Sequence, residues 1–302
     1  MRITQNMLAT NMLRNLTNSY DKMGTLQDQL ATGKKINRPS DDPVVAMKGV
    51  SYRDSLMQID QFKRNFGEAY NWVENSDSAL DKATQALQRI RELAVQASND
   101  TYDATQRDAI NQEVVQLKEQ LVQLGNTKFG EKYLFNGTDT LSQPIDLAAT
   151  PPKVSTNTNP VKLELSKGVY IQVNADPTKV FTLDNSTNPP SGLFGDIDQL
   201  ITKLSDPNST GDDINDSLKQ LDGHIQNVTY ARSELGARMN RVELMENRID
   251  EQQVIANKVL SDNEDADMEK VITDLKVQES VMRAAMGVGA RIIQPSLMDF
   301  LR

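Results

Sequence analysis

The chain has 302 residues, 33 basic against 42 acidic side chains for a net charge of -9, one His, no Cys, and 38% hydrophobic but only 5% aromatic residues. Without Cys there is no disulfide framework, thiolate nucleophile or Cys-held zinc or iron-sulfur centre, and a lone His224 cannot build a multi-His metal cage. The negative charge argues against a nucleic-acid binder held by phosphate neutralisation, and no apolar run approaches the roughly 20 residues that span a bilayer.

Residues 1–10 lack the apolar core of a secretory signal, so an exported chain is expected to leave without a cleaved leader. Of the 11 Pro, 8 lie between Pro144 and Pro207, which leaves both ends free to be helical and the middle not. All 12 Met fall at or before Met57 or at or after Met239, where a flexible side chain suits either core gaps or adaptable interfaces.

The first helix is marked by Ala9, Met12, Leu16, Ser19, Met23, Leu26 and Leu30, spaced alternately by three and four on one narrow stripe. Gly33 reads as its stop, and Ser40-Asp41-Asp42-Pro43 as the next start, with a side-chain acceptor for free amides and Pro in the first turn. Helical pattern then runs to about Ala97. Tyr52, Leu56, Ile59, Phe62, Phe66, Tyr70 and Val73 keep one side, and Leu80, Ala83, Leu87, Ile90, Ala94 and Ala97 follow strict heptads. Some 55 residues at a 1.5 Å rise make a rod of roughly 80 Å, too long for a compact globule. Asn99-Asp100 breaks it, and Ile110, Val114, Leu117, Leu121 and Leu124 form a shorter stripe closed by Gly125-Asn126.

The middle turns to Thr, Asn, Pro and Gly. Val161 to Leu165 and Val169 to Val173 alternate with period two around Ser166-Lys167-Gly168, which predicts a hairpin, and Val180 to Leu183 predicts a further strand. Helix resumes near Asp212, with Leu218, Leu221, Ile225, Val228, Leu235, Met239, Val242 and Ile249 at heptad-like positions. A last helix follows the acidic run Asp262 to Asp267 and is expected to end at Gln294-Pro295.

A stripe on each long helix must be covered by another helix. The economical arrangement folds N-terminal helices against C-terminal ones: a mainly α chain, a long antiparallel helical rod or coiled coil built from both chain ends, with a small β-rich insert domain at the tip. Residues 1–42 would be an N-terminal helix, 43–134 and 214–260 the two parts of the rod, 135–213 the insert, and 261–302 a C-terminal helix.

The last helix carries two apolar faces. Met268, Val271, Ile272, Leu275, Met282, Met286 and Ile293 make one; Val277, Val281, Ala285, Val288 and Ile292 make another on roughly the opposite side. One intramolecular partner cannot cover both, which points to a helix buried between subunits of a polymer. Met12, Leu16, Met23, Leu26, Leu30, Met268, Val271, Leu275, Val277, Val281, Met282, Ala285, Val288 and Ile292 are therefore the candidate interface. Without neighbours, both terminal helices are expected to stay disordered, because an uncovered stripe does not offset ordering entropy.

Chemistry-bearing constellations are scarce. The acids from Asp262 to Asp267 lack the Gly and distal Glu of a calcium loop and read better as a helix N-cap. His224, among Leu221, Ile225 and Val228, reads as a boundary imidazole without a ligand partner, and Gly287-Val288-Gly289 lacks the spacing of a phosphate cradle. Trp72 and Tyr70 read as core. No catalytic residue, metal site or cofactor is expected.

Four separated motifs in order now carry a resemblance. Leu30 to Asp42 (Leu-Ala-Thr-Gly-Lys-Lys-Ile-Asn-Arg-Pro-Ser-Asp-Asp), Leu87 to Asn99, Ala231 to Arg238, and Asp262 to Asp267 leading into Pro295-Ser296-Leu297 are similar to the matching segments of the bacterial flagellin family. The resemblance covers about 1–140 and 215–302. Within the family, Arg38 to Pro43, Tyr133 to Thr138 and Pro295 to Leu301 look like the hook-associated members at the hook-filament junction; filament flagellin is the alternative. The resemblance implies a structural subunit, exported unfolded through the flagellar type III channel after a chaperone has held its C-terminal helix. It implies contacts with further copies in a ring, with the first hook-associated protein and with filament flagellin. A rival from another class is a secreted, adhesin-like helical module whose insert meets a ligand.

Overall fold

The computed structural model describes residues 5–99, 103–149, 152–187, 189–206 and 209–293. In chain order its elements are α1 (Gln5–Thr32), α2 (Pro43–Ala97), α3 (Ala104–Gly125), β1 (Lys128–Phe129), β2 (Lys132–Tyr133), β3 (Ile145–Asp146), β4 (Lys153–Val154), β5 (Lys162–Ser166), β6 (Val169–Gln172), α4 (Pro177–Val180), α5 (Leu193–Ser205), α6 (Gly211–Glu264) and α7 (Met268–Ile293). The fold is mainly α. The chain divides into two compact units, one from residues up to Gln58 together with those from Glu251 onward, the other Ile59–Asp250.

In the second unit the core is a pair of matched heptads. On α2, Ile59, Phe66, Val73, Leu80, Leu87 and Ala94 recur every seven residues, and Ala69, Ser76, Ala83, Ile90 and Ala97 do so on the adjoining line. On α6 the line is Ile214, Leu221, Val228, Leu235, Val242 and Ile249. All are buried, which is what a 3.5-residue apolar period produces when two helices share one seam. Ion pairs and hydrogen bonds along the seam give its direction: Lys63 with Asp250, Tyr70 with Glu246, Asp77 and Asp81 with Arg232, and Arg91 with Asp222. Numbers rise on α2 as they fall on α6, so the helices are antiparallel. Desolvation pushes the Tyr70 hydroxyl well above the ordinary phenol range, and the hydrogen bond to Glu246 is the second cause.

The α2 start follows its sequence signal. Asp42 Oδ1 accepts from the Val44 and Val45 amides at 2.9 and 3.1 Å, with Pro43 in the first turn. The α3 start is a capping box, with Asp103 accepting from the Gln106 amide and the Gln106 side chain accepting from the Asp103 amide.

Residues 135–213 differ from expectation in kind. The hairpin is present: β5 and β6 pair antiparallel with Leu163 opposite Ile171, turning at Gly168 with φ 74°. The strand expected over Val180 to Leu183 is absent. Asp176-Pro177 opens the one-turn α4 instead, Asp176 accepting from the Thr178 amide, and Phe181 leaves it to be buried between Phe135 and Phe194 at ring-centroid distances of 5.2 and 6.4 Å. The longest element here is the helix α5, which the β-rich reading omitted; it packs on α3 with Leu193, Ile197, Leu200 and Leu204 inward. The remaining strands are two-residue pairs, β1 with β2 and β3 with β4.

His224 is also better partnered than expected. Its Nε2 lies 2.7 Å from Asp196 Oδ2 of α5, and both side chains are nearly buried.

Candidate assembly surface on the terminal helices

In the first unit α1 lies antiparallel to α7. The terminal methyl of Met12 covers Gly289, Gln278 Nε2 donates to the Ser19 carbonyl at 3.4 Å, and Lys34 and Asp265 form an antiparallel bridge. Met12, Leu16, Ser19, Met23 and Leu26 of α1 are half-buried. They meet Val271, Leu275, Gln278, Met282, Ala285 and Gly289 of α7, of which Val271, Met282 and Gly289 are buried. Both lines step by four and three. Leu30, at the end of the α1 line, is more open.

The candidate interface residues thus separate into two sets. Met12, Leu16, Met23, Leu26, Val271, Leu275, Met282 and Ala285 lie on the seam between α1 and α7. Met268, Val277, Val281 and Val288 do not; they stand 38, 56, 48 and 55% exposed. The side chain of Ile292 lies outside the described residues, as do Pro295 to Leu297. Two assignments of face change. Ala285, grouped by spacing with the outer valines, belongs to the inner line, while Met268, Ile272 and Met286, grouped with the inner line, are exposed. At about 100° per residue, Met268 and Met286 fall roughly 60° off a line running from Val271 to Gly289, enough to clear α1.

A groove runs beside the seam, floored by Ala284 and Ala285 and walled by Asn11, Asn15, Val281 and Val288. On α1 itself Leu13 and Tyr20 are exposed. A helix pair with this much aliphatic surface on α7 and so few buried residues has a thin core, and gains most by packing against further helices.

The pair ends in a joint that spacing did not reveal. The Lys35 amide donates to the Glu264 carbonyl at 2.6 Å and the Ala266 amide to the Gly33 carbonyl at 2.8 Å, so residues 33–35 and 264–266 close a short two-stranded clamp. Gly33 enters it at φ 71°, a conformation costly for any residue with a β-carbon. Lys34 Nζ reaches Asp265 Oδ1 at 2.6 Å, and Lys35 Nζ donates to the Asp262 carbonyl. Lys34 and then Ser261 hold the Asp265 carboxyl below the usual carboxylate range.

Glu264, the last residue of α6, is 4% exposed. Arg53 of α2 donates to its Oε2 at 2.7 Å, Lys34 stands 3.7 Å away, and Oε1 occupies the space a β-carbon on Gly49 would take. Asn263 Nδ2 donates to the Val45 carbonyl beside it. The acidic run therefore does two jobs. Asp267 caps α7 by accepting from the Lys270 amide, as an N-cap should, whereas Glu264 turns inward. Glu264 and Asp265 share Lys34, and among the described residues the acids form no metal cluster. No helix of the described residues is long and apolar enough to cross a membrane.

Comparison with known proteins falls on the same segments. The family description "Bacterial flagellin N-terminal helical region" matches residues 3–140, and "Bacterial flagellin C-terminal helical region" matches residues 218–301. The chain is similar to flagellar hook-associated protein 3 of Escherichia coli strain K12, 25% identical over 94% of this chain and 95% of that one. It is similar to a flagellin of Bacillus subtilis strain 168, 25% identical over 97% of each. Among solved structures, a flagellar hook-associated protein from Vibrio parahaemolyticus shares the fold with a TM-score of 0.68 at 22% identity, covering 74% of this chain and all of that one. FlgL from Xanthomonas campestris does so at 0.60 and 16%, covering 70% and 99%.

Proposed function

This chain belongs to the bacterial flagellin family, and on that premise we propose that it is a structural subunit of the flagellum seated in the ring between hook and filament. The family is structural rather than enzymatic. The observation that carries the reading is the α1 and α7 pair: helices from distant parts of the chain close one seam and leave a second aliphatic face, Val277, Val281 and Val288, facing solvent. Packed among neighbouring copies, that face becomes the inside of a tube wall. Apolar burial then supplies the free energy that holds the ring, at about 25 cal/mol per Å².

Assembly and ordering go together in this proposal. The seam of α1 and α7 is thin, so in a free copy the two helices are paired only part of the time, and they order fully as the copy joins the ring. An unfolded terminus suits passage through the flagellar type III channel, and a chaperone that shields the α7 face keeps it from aggregating on the way. The first hook-associated protein lies on one side of the ring and filament flagellin on the other.

Near full-length similarity to hook-associated protein 3 supports the junction, while equal identity to a flagellin keeps the filament as the second reading. Deleting the gene separates them. Loss of a junction subunit leaves complete hooks and spills flagellin into the medium; loss of a filament subunit leaves hooks with their junction intact and no flagellin shed. Hydrogen exchange on the isolated chain tests the adhesin-like rival, which needs protected terminal helices.

A further inference from the structure

Within the Ile59–Asp250 unit a groove of about 530 Å³ lies between α2 and α6, floored by Val73, Leu235, Gly236 and Met239. Gly236 keeps it open, with nothing within 4 Å of where its β-carbon would stand. Glu74, Asp77 and Asp81 line the α2 side against the single guanidinium of Arg232, so the rim stays negative. On the opposite side of α6, at about 100° per residue, stand Arg241, Leu244 and Arg248. Leu244 is 71% exposed, an unusual place for a large aliphatic side chain in a rod. Both arginines are exposed and bond to no carboxylate among the described residues.

We propose that Leu244 of one copy seats in this groove of a second copy, with Arg241 and Arg248 reaching the acidic rim. The two arginines stand two turns apart on α6, as Glu74 and Asp81 do on α2, about 10.5 Å in each case. A leucine one turn from each arginine therefore meets an apolar floor bounded by carboxylates at the same spacing. The charges choose the partner and its orientation more than they add affinity, and burial of Leu244 supplies the attraction. Because knob and groove lie on opposite sides of one helix, the contact is head-to-tail. Each copy in a pair still offers one unused half, which is how a ring or a helical row grows. The bearing of this on the ring rests on the function proposed above, but the contact itself is read without flagella.

The chain has no Cys, so an introduced thiol reports the contact in the full-length protein. Gly236→Cys and Leu244→Cys are made in separate chains, mixed in equal amounts at high concentration and oxidised mildly. Random pairing gives the mixed dimer the same yield as the two symmetric dimers together. The mixed dimer is expected to exceed them by roughly tenfold. Glu74→Lys in the first chain, or Arg241→Glu with Arg248→Glu in the second, should bring the yields back to random. Glu119→Lys, the same change of charge at an exposed site on α3, should leave the excess in place. Random yields at the outset overturn the proposal, as does an excess that survives both reversals or one that Glu119→Lys removes equally. Failure of the assembly reading would show separately, as normal flagella in the deletion strain.

Discussion

The terminal methyl of Met12 rests where a β-carbon on Gly289 would stand, and Gly287, two residues earlier on the same helix, faces open space. These two glycines should respond oppositely to alanine. Gly287→Ala adds helix propensity at no steric cost and should stabilise α7 by about 0.5–1 kcal/mol. Gly289→Ala gains the same propensity but must drive Met12 out of the seam, so its net effect should be near zero or negative. Helical circular dichroism of the full-length chain, followed through thermal melting, distinguishes the two.

Val281 lies on the face of α7 that α1 leaves open. Val281→Asp should therefore leave the Ile59–Asp250 unit untouched, with an unchanged denaturation midpoint, while abolishing incorporation into flagella. Normal filaments in a strain carrying it would show that the outer face is not buried in the assembled state.

Arg232 spans two carboxylates a turn apart on α2, Nε on Asp77 at 2.9 Å and Nη1 on Asp81 at 2.7 Å. The pairs are part-exposed, so removal costs less than it would in a dry core. Arg232→Ala should destabilise the unit by about 1 kcal/mol, and Arg232→Lys should recover less than half, because an ammonium does not reproduce the planar fork. Urea midpoints at low and high salt measure both the loss and its screening.

Asp265 gives the clamp a pH dependence with a definite sign. Its carboxyl lies below the ordinary Asp value of 3.8, first through Lys34 and then through Ser261. A depressed carboxyl stabilises the folded form fully above the ordinary value, and the contribution is lost as pH falls through the lower folded value. Protection of the Ala266 amide, compared between the natural chain and Asp265→Asn at each pH, should therefore differ at neutrality and converge in acid.

Much of this architecture is legible in the sequence because it is periodic. A repeat of seven on α2 and α6 survives any local ambiguity, and Gly33, Asp42-Pro43 and Gly125-Asn126 mark ends by mechanisms that act within a few residues. The parts that escaped lack one or other of those properties. The start of α5 has no side-chain cap; Gly192 precedes it at φ 88° in a Pro-rich stretch, so a clear apolar spacing from Leu193 to Leu204 came without a start signal. At Phe181 an apolar run looked like a strand, although Asp176-Pro177 had already offered a helical first turn. The clamp escaped for a different reason: Lys34 and Asp265 are 231 positions apart, and no local pattern announces that they meet. Ala285 was ambiguous because a small residue suits a close seam and an outer face equally well.

Pairing α1 with α7 also sets a timetable. Ser19 is separated from its contact at Gln278 by 259 positions, so during synthesis the earlier helix waits for nearly the whole message to be read before its mate exists. Contacts of such long contour separation are the slowest to close. For that interval α1 is open to any other taker, and a chaperone that holds α7 comes too late to cover it.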